Sequence, residues 1–316
     1  MSFENIEWIW MNGELVRGRD ATVHATAHTL HLGSGVFEAM RCYETKQGRA
    51  VFQLDAHLDR LFASARVHQI DIPYSKDELA NAVCETVLCN DFTTCYIRLL
   101  VYHGVGSLGV LPRNCPVEVV ILCWPLGSYL GAGALEKGAR VTISPWTKFH
   151  SSMMPTTAKA GGQYLNSMLA MREAINRGFD EALLLDVHGN IAEGAGENIF
   201  LVKDGRLRTN DEQSSILLGI TRNSVIEIAD ELGFPVDVGL MTLDDLWNAD
   251  EAFFTGTAVE ITPICEVDGT IIGDGRKGPV TAQIQRSFFD VTAGRHSEHT
   301  SWLTPVEVQY ATLWGV

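Results

Sequence analysis

Pro155-Thr-Thr-Ala-Lys159-Ala-Gly-Gly-Gln-Tyr164, followed further on by Glu193-Gly-Ala-Gly-Glu197-Asn198, is the stretch on which the reading of this chain turns. Lys159 stands alone. No other lysine lies between Lys148 and Lys203, and its neighbours Ala158, Ala160, Gly161 and Gly162 are too small to shield it from a large flat partner. A lysine set among small residues either lowers its pKa or finds chemistry, and condensation with an aldehyde is chemistry of that kind. A loop lysine beside a glycine turn is the plainer reading, and these residues alone leave it open.

Composition narrows the partners. The 316 residues are 46% hydrophobic, enough for two domains with their own cores. A formal net charge of −15 repels nucleic acid and anionic lipid surfaces, although a local basic pocket could still take a small anion. The seven cysteines are scattered without a C-x-x-C pair, as expected of reduced thiols in a cytoplasmic protein. The longest apolar run, Val119 to Trp124, is far too short to span a bilayer, so no membrane partner is expected.

Trp8 to Met11 and Glu14-Leu-Val flank Asn12-Gly13, a two-residue hairpin signal. His24, His28 and His31 follow. Without acidic or cysteine ligands beside them they read as packed or hydrogen-bonded histidines, in extended structure favoured by Thr22, Thr26 and Thr29. Gly35 to Tyr43 reads as a strand with Phe37, Ala39, Arg41 and Tyr43 on one face. Asp55 is placed to cap a helix whose buried stripe is Leu58, Leu61, Phe62 and Ala65, with Arg60 at its edge, either solvated or turned inward to an anion. Ser75 and Glu78 form a capping box for the next helix. Strands are expected over Cys95 to Tyr102, where Tyr96 and Arg98 share a face, and over Val117 to Trp124. Gly104-Val-Gly106-Ser-Leu-Gly109 between them matches G-x-G-x-x-G only formally, because Pro112 and the next strand leave no room for the helix that pattern requires.

Gly131-Ala-Gly133 marks residues 127–138 as a linker between a domain of residues 1–126 and one of residues 139–316. Beyond Lys159, Leu165, Met168, Leu169, Arg172 and Ile175 recur at helical spacing, and Gly178 ends that helix. The strands after it, turned at Gly189-Asn190 and Asp204-Gly205, imply an antiparallel, barrel-like sheet. Leu217-Leu-Gly219-Ile220-Thr221 enters a helix through its amino terminus, a ready anion site, and Thr255-Gly256-Thr257-Ala258 offers a second cluster of small donors.

The run from Ala158 to Val202, with Lys159, Tyr164, Glu193 and Glu197-Asn198-Ile199-Phe200, resembles the central block of the branched-chain aminotransferases, pyridoxal-phosphate enzymes of fold type IV. The likeness extends from Trp10-Met-Asn-Gly to Phe288. It implies an α+β fold with a small amino-terminal α/β sandwich-like domain and a larger cofactor domain with a barrel-like β core and flanking helices. It also implies transfer of the amino group of L-leucine, L-isoleucine or L-valine to 2-oxoglutarate, in a homodimer or an assembly of dimers.

By the same resemblance Lys159 is the Schiff-base lysine and general base, and pyridoxal phosphate is the cofactor. Glu193 pairs with its pyridine nitrogen, Tyr164 bonds its ring hydroxyl and Leu217 packs on its ring. Arg60, the amides of Ile220 and Thr221, and Thr257 take its phosphate. Tyr96, Arg98 and the amides of Thr257 and Ala258 take substrate carboxylates, with Phe37 and Tyr129 lining the pocket. No metal is implied. Leu32, Ala39 and Leu126 depart from the family, which usually has tyrosine, glycine and tryptophan there, and so leave D-amino acids or (R)-primary amines as alternative substrates. A lyase of aminodeoxychorismate shares the fold, but the Glu197-Asn-Ile-Phe block and Tyr96-Ile-Arg98 match the transaminases.

Overall fold

The computed structural model describes residues 6–131 and 133–306. Contacts divide the chain into two compact units. The first comprises the described residues up to Leu126, the segment Ala158–Gly162, and the described residues from Asp290 on; the second comprises Gly127–Thr157 and Gln163–Phe289.

The first unit opens with the hairpin β1 (Trp8–Met11) and β2 (Glu14–Arg17), paired across Asn12 and Gly13 as the sequence requires. A short helix α1 (His28–Leu32) replaces the extended structure expected around the histidines. Its C-cap, Gly33, is left-handed at φ +64, a conformation cheap only for glycine. β3 (Gly35–Thr45), β4 (Gly48–Phe52), α2 (Leu54–Val67), α3 (Lys76–Cys89), β5 (Cys95–His103) and β6 (Val117–Trp124) follow. The last described strand, Leu303–Pro305, pairs with β4, giving a seven-stranded sheet in which β4, β3, β5, β6, β1 and β2 succeed it. One face of the sheet is covered by α2 and α3 through Met40, Val51, Leu58, Leu61, Leu79, Val83 and Ile97, all fully buried.

Ser75 and Glu78 form the capping box of α3, each side chain bonding the other's backbone N–H. Asp55 does not cap α2. The N-cap is Gln53, which takes a left-handed conformation and so turns the chain sharply out of β4, leaving Asp55 in the first turn.

β4 pairs with only the last part of β3, from Cys42 to Thr45, which leaves the edge of β3 from Gly35 to Arg41 bare on that side. Ala158–Gly162 takes that edge: Ala160 bridges Val36, and Phe37 N–H donates to the Lys159 carbonyl at 3.0 Å. An unpaired edge inside a unit is costly, and this segment satisfies it. That pairing is why the lysine segment belongs with the first unit, although a division of the sequence at residue 139 puts it in the second.

The second unit contains α4 (Ala134–Lys137), inside the expected linker, then β7 (Ala139–Ile143), α5 (Tyr164–Asn176), β8 (Glu181–Leu185), β9 (Ile191–Gly194), β10 (Asn198–Lys203) and β11 (Arg206–Thr209). α6 (Ile220–Glu231), β12 (Val236–Val238), α7 (Leu243–Trp247), β13 (Glu251–Gly256), β14 (Glu260–Val267), β15 (Thr270–Ile271) and α8 (Pro279–Thr292) complete it, α8 running on past Phe289. The order is β12, β11, β10, β13, β14, β7, β8, β9, with β15 beside β14.

This sheet is mixed, not antiparallel throughout: β7 runs parallel to β8 and to β14, and β11 to β12. The helical connection through α5 returns the chain in its original direction, which a tight turn cannot do. The core joins Val141, Leu183, Ile191, Ile199, Phe254 and Val267.

The α5 stripe faces outward. Leu165, Met168 and Ile175 are exposed, while Ser167, Ala170 and Ala174 are buried. Ala170 and Ala174 pack with Ala182 and Leu184 of β8, so the small residues let the helix axis approach the sheet closely.

Candidate active site

In the first unit the candidate residues gather around β3 and β5. Ala39 lies opposite Arg98 and Arg41 opposite Tyr96, so Phe37, Ala39, Arg41, Tyr96 and Arg98 share one face. The guanidinium carbon of Arg98 stands 4.6 Å from the centre of the Phe37 ring and 5.8 Å from that of Tyr96. The Lys159 amine lies 4.9 Å from the centre of the same Phe37 ring. Arg98 Nε is buried and has no hydrogen-bond partner among the described residues. A buried donor of this kind suits a carboxylate.

Lys159 is held by its backbone. Its N–H donates to Ser64 Oγ of α2 at 2.9 Å and its carbonyl accepts from Phe37, so the side chain leaves from a fixed point. Gly161 and Gly162 let the segment run close to α1, where a Cβ on Gly33 would meet Gly162 Cα at 2.9 Å. The amine is pushed down to about 8 from an ordinary 10.5. Burial is the main cause; the Arg60 charge adds to it and Arg98 contributes less, against Glu38 and Tyr96.

Arg60 turns inward to a protein anion. Its Nε donates to Glu38 Oε1 at 2.6 Å and its Nη2 to Oε2 at 3.0 Å, a bidentate fork, and His57 Nδ1 lies 2.7 Å from Oε2. Burial opposes the charge on Glu38, but Arg60 and then His57 outweigh it and hold the carboxyl well below its usual range. Burial also lowers His57, against the pull of Glu38. The expectation for this strand looked to the Phe37 face and passed over Glu38 on the other. The available signal is an acid on the core face of β3, between the buried Val36 and Met40.

In the second unit the acidic turn is a tight hydrogen-bonded structure. Glu193, at the end of β9, is buried and forms an ion pair with Lys148 at 2.6 Å. Its Oε2 accepts the Leu217 N–H at 3.1 Å and the Asn198 Nδ2 at 3.3 Å, and Asn198 Nδ2 also donates to the Leu217 carbonyl at 2.9 Å. One carboxylate thus ties the turn to the loop before α6. Lys148 was not expected here, and nothing near it in the sequence marks it.

Ile220 and Thr221 are the first residues of α6, whose N-cap Gly219 provides no side-chain cap. Their amides suit an anion. Thr257 and Ala258 form the turn after β13, on which α6 packs. Tyr164, the first residue of α5, and Leu217 are half-buried; Tyr129 is exposed. The three amino-terminal histidines are hydrogen-bonded, His24 to Thr26, His28 to Ser34 and to the Gly109 carbonyl far along the chain, and His31 to the Ala25 carbonyl. Of the family departures, Leu32 is exposed and Ala39 buried.

These residues fit pyridoxal phosphate. The first unit offers a lysine amine whose pKa is lowered, and the second offers a buried carboxylate and a helix amino terminus without a side-chain cap, the kinds of group this cofactor needs.

Residues 35–267 match the amino-transferase class IV family. A branched-chain-amino-acid aminotransferase of Pseudomonas aeruginosa is 48% identical over 299 residues, covering 95% of this chain and 97% of that protein. The crystal structure of the Escherichia coli branched-chain amino acid aminotransferase superposes with a TM-score of 0.94 at 44% identity, over 96% of this chain and all of that one. The branched-chain amino acid aminotransferase of Thermobaculum terrenum, solved in its PLP-form, gives a TM-score of 0.89 at 34% identity, over 96% of this chain and 99% of that one. With its matched segment running through both units, the chain belongs to the class IV aminotransferase family.

Proposed function

We infer that this protein is a pyridoxal-phosphate-dependent aminotransferase that moves the amino group of L-leucine, L-isoleucine or L-valine to 2-oxoglutarate, giving the 2-oxo acid and L-glutamate. The observation that carries the chemistry is the Lys159 amine, pinned at its backbone, set over Phe37 and brought to about 8. Relatives at this identity favour branched-chain L-amino acids over D-amino acids or (R)-amines.

When bound, pyridoxal phosphate supplies an aldehyde that takes up the donor's amino group and a ring that withdraws electrons from its Cα. Lys159 Nζ would take the proton from that carbon and deliver it to the carbon that bore the aldehyde. Glu193 would pair with the pyridine nitrogen, Tyr164 with the ring hydroxyl, and Leu217 would pack on the ring. For the phosphate, Arg60 of the first unit and the Ile220 and Thr221 amides and Thr257 of the second would be the groups to hold it. Arg98, Tyr96 and the Thr257 and Ala258 amides bind substrate carboxylates, and Phe37 and Tyr129 bound the side chain.

Purified protein loaded with pyridoxal phosphate is expected to be yellow and to turn over L-leucine far faster than D-alanine or (R)-1-phenylethylamine. Lys159→Ala removes both colour and turnover. Failure of the wild type to use L-leucine refutes the substrate assignment, and failure to take up the cofactor refutes the chemistry.

The exposed apolar side chains of α5, Leu165, Met168 and Ile175, support a homodimer or an assembly of dimers, which light scattering of the full chain measures. All seven cysteines are free, consistent with a reducing cytoplasm. No described helix is long and apolar enough to cross a membrane.

A further inference from the structure

The acid at position 38 has no part in the functions assigned so far, yet both of its carboxylate oxygens are engaged. It is fully buried, and Val36 and Met40, its neighbours on the same face of β3, are buried as well. Besides the fork from Arg60 and the contact with His57, its Oε2 accepts the Ala39 N–H at 3.2 Å. A buried ion pair rarely stabilises a fold more than apolar residues of the same size would. Core packing therefore does not explain a carboxylate here; something that must be oriented does.

The partners come from one helix face. His57, Arg60 and Ser64 follow one another at three and four residues on α2, so they point the same way. The first two bond Glu38 and the third receives the Lys159 N–H. The groups acting on Lys159 are Arg60, Glu38, Tyr96 and Arg98; those acting on Glu38 are Arg60 and His57; those acting on His57 are Glu38, Arg60 and Lys159. In the first set Glu38 is the carboxylate, facing two guanidinium groups and a phenol.

We propose that Glu38, held by His57, is a positioning residue that aims the Arg60 guanidinium for the cofactor phosphate and serves as counter-charge to Arg60 and Lys159. This rests on the assignment of Arg60 to the phosphate and Lys159 to the aldehyde. Arg60 is a long side chain with many rotamers, and a fork that fixes Nε and Nη2 removes most of that freedom before the ligand arrives. His57 fixes the carboxylate in turn: its Nδ1–H, donated to Oε2, stops Glu38 from swinging with the arginine. The neutral imidazole that burial favours is the form able to donate there without adding a third cation.

The test compares pyridoxal phosphate with pyridoxal, which lacks the phosphate, on the full-length protein freed of cofactor. Dissociation constants come from the growth of the visible band, and the pH midpoint of that band is read for each variant. Glu38→Gln is expected to weaken pyridoxal phosphate by about tenfold, equivalent to one misplaced hydrogen-bonded contact, and to leave pyridoxal within about twofold. The pH midpoint falls, because a negative neighbour of the amine is gone.

His57→Leu is expected to act in the same direction, and His57→Asn, whose side-chain amide replaces the Nδ1–H, to restore wild-type preference. This pair decides the matter even where Glu38→Gln does not fold. Equal losses for both ligands, an unmoved midpoint, or no rescue by asparagine overturns the proposal. Arg60→Met separates it from the assignment beneath: if that variant keeps the wild-type preference for the phosphate-bearing ligand, Arg60 is not the anchor. If Arg60→Met loses the preference while the Glu38 and His57 variants keep it, only the positioning role fails.

Discussion

Lys148 Nζ stands 2.6 Å from Glu193 Oε1, so the carboxylate assigned to the pyridine nitrogen already has a cationic partner. Both side chains are nearly buried, at 10% and 8% exposure. The other carboxylate oxygen is held by Leu217 N–H and Asn198. Such an arrangement fixes the direction of the carboxylate, and it makes Lys148 the group with which a pyridinium would have to share it.

Lys148→Met leaves a buried charge without its counter-ion, which costs on the order of 3 kcal/mol. The loss is expected in cofactor-free protein and to shrink by more than half when pyridoxal phosphate supplies a new positive partner. Urea unfolding with and without cofactor measures both. An identical loss in the two states means the ring nitrogen does not reach Glu193.

Lys159 gives a pH signature of its own. Its folded value of about 8 lies below the ordinary 10.5, so between the two the unfolded chain holds a proton that the folded chain has released. The penalty of burying the charged amine is therefore full below pH 8 and fades as pH rises toward 10.5. Cofactor-free Lys159→Met is expected to be more stable than the wild type at pH 7 and to lose that advantage by about pH 10.5. In the wild type, the rate of cofactor uptake rises through a midpoint near pH 8, which stopped-flow absorbance reads.

Local signals were legible in the sequence and long-range pairings were not. The Ser75 and Glu78 box and the Asn12-Gly13 hairpin are written in adjacent residues, and both form as expected. Phe37, Tyr96 and Arg98 could be put on shared faces because strand period is two, and Lys159 and Glu193 stood out through resemblance. On α5 the helical period was legible but the buried face was not, since small Ala170 and Ala174, and not Leu165 and Met168, pack against the sheet. Glu38 with His57, and Lys148 with Glu193, are contacts between residues far apart in the chain. No periodicity encodes such a pair.

Ala39 is buried opposite Arg98, where the family usually has glycine. One methyl beside the guanidinium proposed to take the substrate carboxylate is worth roughly 1 kcal/mol of discrimination. Ala39→Gly is expected to raise kcat/KM for L-phenylalanine relative to L-valine by about fivefold. An unchanged ratio places that methyl outside the substrate's reach.

Glu181 on β8 is fully buried, and its Oε1 accepts the Ala182 N–H at 2.8 Å. Burial, and next the charge of Glu197, raise its pKa well above the usual 4.5, so the folded protein keeps a proton that the unfolded chain loses as pH rises past that value. Stability contributed by this group is present below pH 4.5 and declines above it. Glu181→Gln, a neutral mimic of the protonated acid, is expected to match the wild type near pH 4 and to exceed it increasingly toward pH 8 in urea titrations. A wild type that gains on the variant as pH rises contradicts this.

Gly219 has an ordinary extended backbone, φ −71 and ψ 139, so its identity is a matter of space. A Cβ there would overlap Asn198 Oδ1. Asn198 is buried, and its amide bonds both the Leu217 carbonyl and Glu193. Gly219→Ala must turn that amide away, which frees the loop before α6 and one hold on Glu193 together. The expected cost is about 2 kcal/mol of stability, with weaker cofactor binding. The coupling gives the decisive measurement: in an Asn198→Ala background the obstructing oxygen is absent, so adding Gly219→Ala should cost little more. Additive losses in that double-mutant cycle would mean that Gly219 acts through something other than Asn198.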